Sequence, residues 1–127
     1  MWAKDASYAA CGPIIVRADF GTAGGFPGFR KQHQTSYREA EAVAHAEVIN
    51  LDPDFVEHAL SLFDGSASNA PEHQMSMQKD LASRRPLGLE DLNGMFVHKG
   101  KELRVPTPTI KTYYELLKSH EYRIQPT

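Results

Sequence analysis

The stretch that decides the fold runs from Met75 to Leu117: MSMQKDLASRRPLGLEDLNGMFVHKGKELRVPTPTIKTYYELL. Its last part reads most directly. Thr107-Pro108 sets a hydroxyl N-cap before a proline at the first helical position, where the missing N–H is not needed. Ile110, Tyr113, Tyr114 and Leu117 then fall at i, i+3, i+4 and i+7, one apolar stripe on one helix face. Upstream, Leu89, Leu92 and Phe96 repeat the pattern with Met95 beside them. Lys99-Gly100 predicts a cationic last turn and a C′ glycine for that helix, and Lys101 to Pro106 is a short connector.

Working outward, Asn69 is placed to cap a helix through about Ser83, carrying Met75 and Leu81, that Arg85-Pro86 ends. Before it, Asp52-Pro53 reads as an N-cap and N1 proline; Phe55, Val56, Ala59, Leu60 and Phe63 form a stripe that Gly65 is expected to stop, leaving Ser66–Asn69 as a loop. Ser36 and Glu39 have capping-box spacing and predict a helix start, with Ala40, Val43 and Ala44 continuing to Val48 or Leu51. Residues 20 to 30, FGTAGGFPGFR, hold four glycines, a proline and three phenylalanines. That glycine density predicts a loop packed through its phenylalanines. Residues 2 to 11 are expected to form a helix that Gly12-Pro13 interrupts or ends. Ile14-Ile15-Val16 is the one β-branched run, with no alternating pair of segments around a tight turn. The fold class expected is all-α, with about six helices in a single domain over residues 1–127.

Composition narrows the function. The chain has 127 residues, 41% hydrophobic and 24% charged, with a formal charge of −2. That is ordinary for one soluble domain with one core. The slight acidic balance argues against nucleic acid as a partner, and Arg84, Arg85, Lys99, Lys101 and Arg104 read as a solvated face. Cys11 is the single cysteine, so no intrachain disulfide forms, which suits a reducing compartment. No apolar run approaches the roughly 20 residues of a membrane span, and Met1-Trp2-Ala3-Lys4-Asp5 lacks a signal-peptide core. A cytoplasmic protein without membrane contact is expected. The six histidines show no ligand spacing, so no metal is expected.

Ser76-Met77, Asp80, Glu90-Asp91-Leu92-Asn93-Gly94, Gly100 and Val105-Pro106-Thr107-Pro108 resemble, in order and spacing, the C-terminal domain of ketopantoate reductases. Those enzymes are NADPH-dependent 2-dehydropantoate 2-reductases of pantothenate biosynthesis. Trp2, Lys4 and Gly12-Pro13-Ile14 fit the start of the same domain more loosely. The resemblance implies the 6-phosphogluconate-dehydrogenase-like helical domain, in agreement with the periodicity. It also implies a ketone reduced by hydride from NADPH, with a lysine ammonium stabilising or protonating the developing alkoxide. Lys4 occupies the place of that catalytic lysine, and Ser76 that of a substrate-binding serine. Tyr8 stands where a substrate-binding asparagine is expected, and Gly12 where a second one is. Gly88 stands where a glutamate is expected, with Glu90 two residues on as the carboxylate nearest that place.

The expected site is therefore Lys4 as catalytic group, with Ser76, Tyr8 and Glu90 toward substrate. Gly21, Gly24, Gly25 and Gly28 lack the preceding strand and following helix of a dinucleotide fingerprint. No cofactor site is expected in the isolated chain, although the family implies NADPH, and the N-terminal Rossmann domain is read as absent. Three function classes follow. The chain is the substrate-binding and dimerisation half of an NADPH-dependent 2-oxo acid oxidoreductase, inactive alone. Or it is a stand-alone helical oligomerisation or binding module that has lost the chemistry. A third class is a small-acid-binding protein reusing the pocket. The partners expected are a second copy or a separate Rossmann-domain chain, and a small 2-oxo acid.

Overall fold

The structure, a computed structural model, describes residues 19–73, 76–91 and 93–124. Within them the chain is helical, with no strand among the described residues. The order is α1 (Phe20–Gly25), α2 (Pro27–Ala46), α3 (Phe55–Asn69), α4 (Ser76–Ala82), a 3-10 turn (Leu89–Asp91), α5 (Asn93–Leu103) and α6 (Pro108–Ile124). The all-α expectation of about six helices holds. The helix expected over residues 2–11 and the Ile14–Val16 run lie outside the described residues.

The long α2 is the element the rest surround. Its buried face carries His33, Ser36, Tyr37, Ala40, Val43 and Ala44, the spacing of a single helix stripe. Helices α3, α5 and α6 pack on it, α1 packs on α3, and α5 packs on α6. One apolar cluster joins Tyr37 and Ala40 of α2 to Phe55, Val56 and Leu60 of α3, Phe96 of α5 and Ile110 of α6. A second gathers Leu87, Leu89, Tyr114 and Leu117. The stripe expected from Ile110 to Leu117 is thus divided between two cores, because the elements that cover it come from opposite sides.

The glycine-rich segment is not a loop. Phe20–Gly25 forms α1, capped by the Asp19 carboxylate, which accepts Thr22 N–H at 2.8 Å. Phe26 separates it from α2, which begins with Pro27 at N1. Glycine lowers helix propensity by about 1 kcal/mol per residue relative to alanine, but here the missing side chains permit contact. Gly21 N–H donates to Pro71 O at 2.8 Å, and a Cβ at Gly21 would stand 2.8 Å from the Pro71 ring. A Cβ at Gly24 would collide with the Ala67 methyl. Tertiary packing against the end of α3 outweighs propensity.

The helix boundaries move for related reasons. Ser36 does not start a helix; it lies buried in the middle of α2. Glu39, expected in a capping box, instead reaches the N-terminus of α6, accepting Thr109 N–H at 3.1 Å and Ile110 N–H at 3.0 Å. Helix α3 starts at Phe55 after Asp54, two residues later than Asp52-Pro53 suggests, since Phe55 N–H closes a turn to Asp52 O at 2.9 Å. It runs through Gly65 to Asn69, so Ser66–Asn69 is helix, and the next helix is Ser76–Ala82 rather than one starting after Asn69. Helix α5 likewise runs through Gly100 to Leu103. The C′ position expected at Gly100 falls on Arg104, at φ 59°. Val105 N–H reaches Gly100 O at 2.7 Å and Arg104 N–H reaches Lys101 O at 3.3 Å. That pair of bonds is the Schellman closure. The same closure ends α2 at Val48 (φ 62°) and α4 at Arg84 (φ 58°). No described helix is long and apolar enough to cross a membrane.

Candidate functional site

The segment between α4 and α5 carries two of the positions singled out in the sequence, and α6 holds it in place. His120 Nε2 donates to Arg85 O at 3.0 Å, and Leu87 N–H donates to the Glu121 carboxylate at 3.1 Å. Leu87 and Leu89 plug into the cluster formed with Tyr114 and Leu117. Between these two anchors Gly88 is exposed, in the left-handed region at φ 65°, with open space where a Cβ would lie. Where the resemblance leads one to expect a glutamate, the backbone adopts a conformation that favours glycine.

Glu90 sits in the 3-10 turn with its carboxylate turned toward α5 and α6. Oε1 accepts Tyr114 OH at 2.6 Å and the Lys118 ammonium, and Oε2 meets His98 Nε2 at 2.9 Å. Lys118, then Tyr114, then His98 hold the carboxyl well below its ordinary range, at about 2. The same bonds raise Tyr114 and Lys118. Gly94 makes this approach feasible, because a Cβ there would be 2.9 Å from Glu90 Oε2 and 3.1 Å from the Tyr114 ring. The network was legible in part. Glu90, Gly94 and His98 are spaced by four, and Tyr114 and Lys118 are an i, i+4 pair. Their meeting across two helices was not.

The other expected site residues are placed less fully. Ser76 is the first residue of α4. Lys4, Tyr8 and Gly12 lie outside the described residues. The structure adds an open cleft that the sequence did not suggest, between α2 and the start of α3, with a volume of about 410 Å³. Gln34, Arg38, Glu41, Asp54, Val56 and Glu57 line it. No group of three or more metal-ligating side chains occurs among the described residues.

Two groups of the motif residues lie on α5 and at its junction with α6. Gly100 lies under Val105-Pro106-Thr107, with its would-be Cβ 2.8 Å from Val105 O and 3.0 Å from the Thr107 methyl. Asn93 is fully buried beside Gly94. In comparison with known proteins, the family described as ketopantoate reductase PanE/ApbA C terminal matches residues 1–121.

The chain belongs to that family.

Solved structures agree with this membership. The ketopantoate reductase of Ralstonia eutropha JMP134 superposes with a TM-score of 0.86 at 26% identity, covering 99% of this chain and 42% of that one. The 2-dehydropantoate 2-reductase of Methylococcus capsulatus gives 0.83 at 26% identity, covering 99% and 43%. The dimeric ketopantoate reductase of Staphylococcus aureus gives 0.87 at 20%, covering 98% and 43%. The chain therefore spans about two fifths of the length of these proteins. No curated protein matches it.

Membership in the ketopantoate reductase family raises the question of NADPH. The glycine-rich segment at the start of the described residues does not fit a dinucleotide. A pyrophosphate needs a glycine turn between a strand and a helix, whose exposed N–H groups receive it. Gly21 and Gly24 lie within α1, where Pro71 and Ala67 fill the space a phosphate would need, and Gly21 N–H is taken by Pro71 O.

Proposed function

We propose that this chain is the substrate-binding half of an NADPH-dependent 2-oxo acid reductase of the pantothenate type, acting in the cytoplasm and inactive alone. The carrying observation is the match to the reductase C-terminal family along residues 1–121, set against Gly21 and Gly24, whose open space is taken by Pro71 and Ala67. The nucleotide would be held by a Rossmann unit outside these residues. In this reading Lys4 supplies the ammonium that polarises the substrate carbonyl. Ser76 and Tyr8 offer hydroxyls to the 2-oxo acid. Glu90 acts through position: with its carboxylate committed to Tyr114, Lys118 and His98, it braces the Gly88 segment against α6.

Gly88 also supports a second reading, a helical binding or oligomerisation module that has left the chemistry behind. A position without a side chain gives a substrate hydroxyl nothing to bond, and a lost polar contact weakens discrimination steeply. The exposed Phe26 and Leu62 are candidates for a self-association face.

Calorimetric titration of the chain with NADPH and, separately, ketopantoate tests both. The substrate-half reading expects no NADPH binding and weak 2-oxo acid binding that Lys4→Ala removes. Micromolar NADPH affinity overturns the placement of the nucleotide elsewhere. Ketopantoate binding indifferent to Lys4→Ala overturns the role of the lysine. No binding of either, with light scattering above the 14.2 kDa monomer mass, decides for the module.

A further inference from the structure

Among the described residues, His33 and Gln78 are buried with both side-chain polar atoms unpartnered, and of the two His33 is the titratable one. It is fully buried on α2. Phe29 and Tyr37 flank it on the same helix, with ring centroids at 6.4 and 6.3 Å. Phe63 of α3 meets it nearly perpendicular at 4.2 Å. Neither ring nitrogen has a hydrogen-bond partner among the described residues. A polar group left dry costs free energy that a phenylalanine or leucine in the same place would not. The charged groups around it are few. Arg30, one turn earlier on α2, pairs with Asp64 of α3 at 3.2 Å, and both are about half exposed. Among the described residues Tyr37 is a further titratable neighbour, and α1 (FGTAGG) brings no ionisable side chain. Burial pushes the imidazole down to about 4, with Asp64 pulling weakly the other way. The neutral form is the one that fits.

We propose that the His33–Phe63 contact is an acid-sensitive latch: protonating the imidazole releases the C-terminal half of α3, and α1 packed on it, from α2. The release stays local for a structural reason. Phe55, Val56 and Leu60 anchor the first half of α3 in the main core with Phe96 and Ile110. Past Leu60, Phe63 carries the stripe to α2 at His33, and α1 meets α3 and the residue after it through the Gly24–Ala67 and Gly21–Pro71 contacts. Among the described residues an imidazolium there has Asp64 as its nearby carboxylate, and Asp64 is already engaged with Arg30. The cluster of Leu87, Leu89, Tyr114 and Leu117 shares no residue with this contact.

The test is amide hydrogen exchange of the intact chain from pH 7 to 4, corrected for the intrinsic exchange rate, alongside the imidazole titration followed by NMR. Amides of Phe63–Asn69 and α1 should lose protection about tenfold per pH unit between roughly 6.5 and 4, a few hundred-fold in all. Those of α5 and α6 should not follow. His33→Phe and His33→Leu should each remove that pH dependence. A His33 ring that titrates near 6.5 with α3 protection intact overturns the latch, and needs no variant. So does a variant that keeps the wild-type profile, or loss of protection in α6 in step with α3.

Discussion

Glu39, in the middle of α2, closes the N-terminus of α6 seventy residues further along the chain, its carboxylate accepting Thr109 N–H at 3.1 Å and Ile110 N–H at 3.0 Å. A helix leaves its first N–H groups without internal partners, and its N-terminus favours negative charge. Pro108 removes one of these groups, Glu39 takes the next two, and Lys111 N–H returns to Thr107 O at 2.8 Å. One carboxylate thus ties the central helix to the last. Glu39→Ala should destabilise the chain by about 1–2 kcal/mol and Glu39→Gln by roughly half that. Thermal unfolding followed by circular dichroism reads both, at roughly 4 °C per kcal/mol. A midpoint unchanged in Glu39→Ala would mean that water caps α6 equally well.

Val48 should be better as glycine. It occupies the C′ place of α2 at φ 62°, is 86% exposed, and is β-branched, the side-chain class least suited to the left-handed region. Val48→Gly should stabilise by about 0.5–1 kcal/mol, read as a higher urea midpoint with unchanged slope. Stability equal to or below that of the natural chain would show that the Val48 side chain makes a contact outweighing its backbone strain.

Two glycine-to-alanine changes should have opposite signs. Gly65, inside α3, has nothing within 4 Å of a would-be Cβ, so Gly65→Ala should gain roughly 0.5–1 kcal/mol of helix propensity. Gly24, inside α1, faces the Ala67 methyl, so Gly24→Ala should cost about 1–3 kcal/mol through overpacking. Denaturant unfolding of the two variants side by side makes the comparison. If both stabilise, the close packing of α1 on α3 is wrong.

The Glu90 network predicts an acid limb distinct from that of His33. The Glu90 carboxyl, held at about 2 by Lys118, Tyr114 and His98, lies below an unfolded glutamate at about 4.3. Its contribution is therefore present above about pH 4.3 and is lost as the pH falls toward 2. The side chain is 50% exposed, so salt should weaken the effect. Glu90→Gln should flatten the fall in urea midpoint between pH 5 and 3 relative to the natural chain. A parallel fall in both would show that other carboxylates carry the acid limb.

Local pattern determined the helical class, the starts near Phe55 and at Pro108, and the membership signalled by Asn93-Gly94, Gly100 and Val105–Pro108. Each of these depends on the residue itself and its neighbours within a turn or two, which periodicity and capping chemistry report. Among the motif residues, Gly94 and Gly100 lie where a side chain would meet Tyr114, Val105 and Thr107, so the fold constrains those two identities. Tertiary structure decided the rest. Gly21, Gly24 and Gly65 read as breakers, yet all three lie inside helices. At Gly21 and Gly24 the reason is on α3, where Pro71 and Ala67 occupy the space left by the missing side chains. Glu39 read as half of a capping box for its own helix, and instead caps α6. Glu90 read as a carboxylate near substrate, and is held by donors eight to twenty-eight residues away. A carboxylate binds whichever donors the fold brings within about 3 Å, and separation along the chain does not say which those will be.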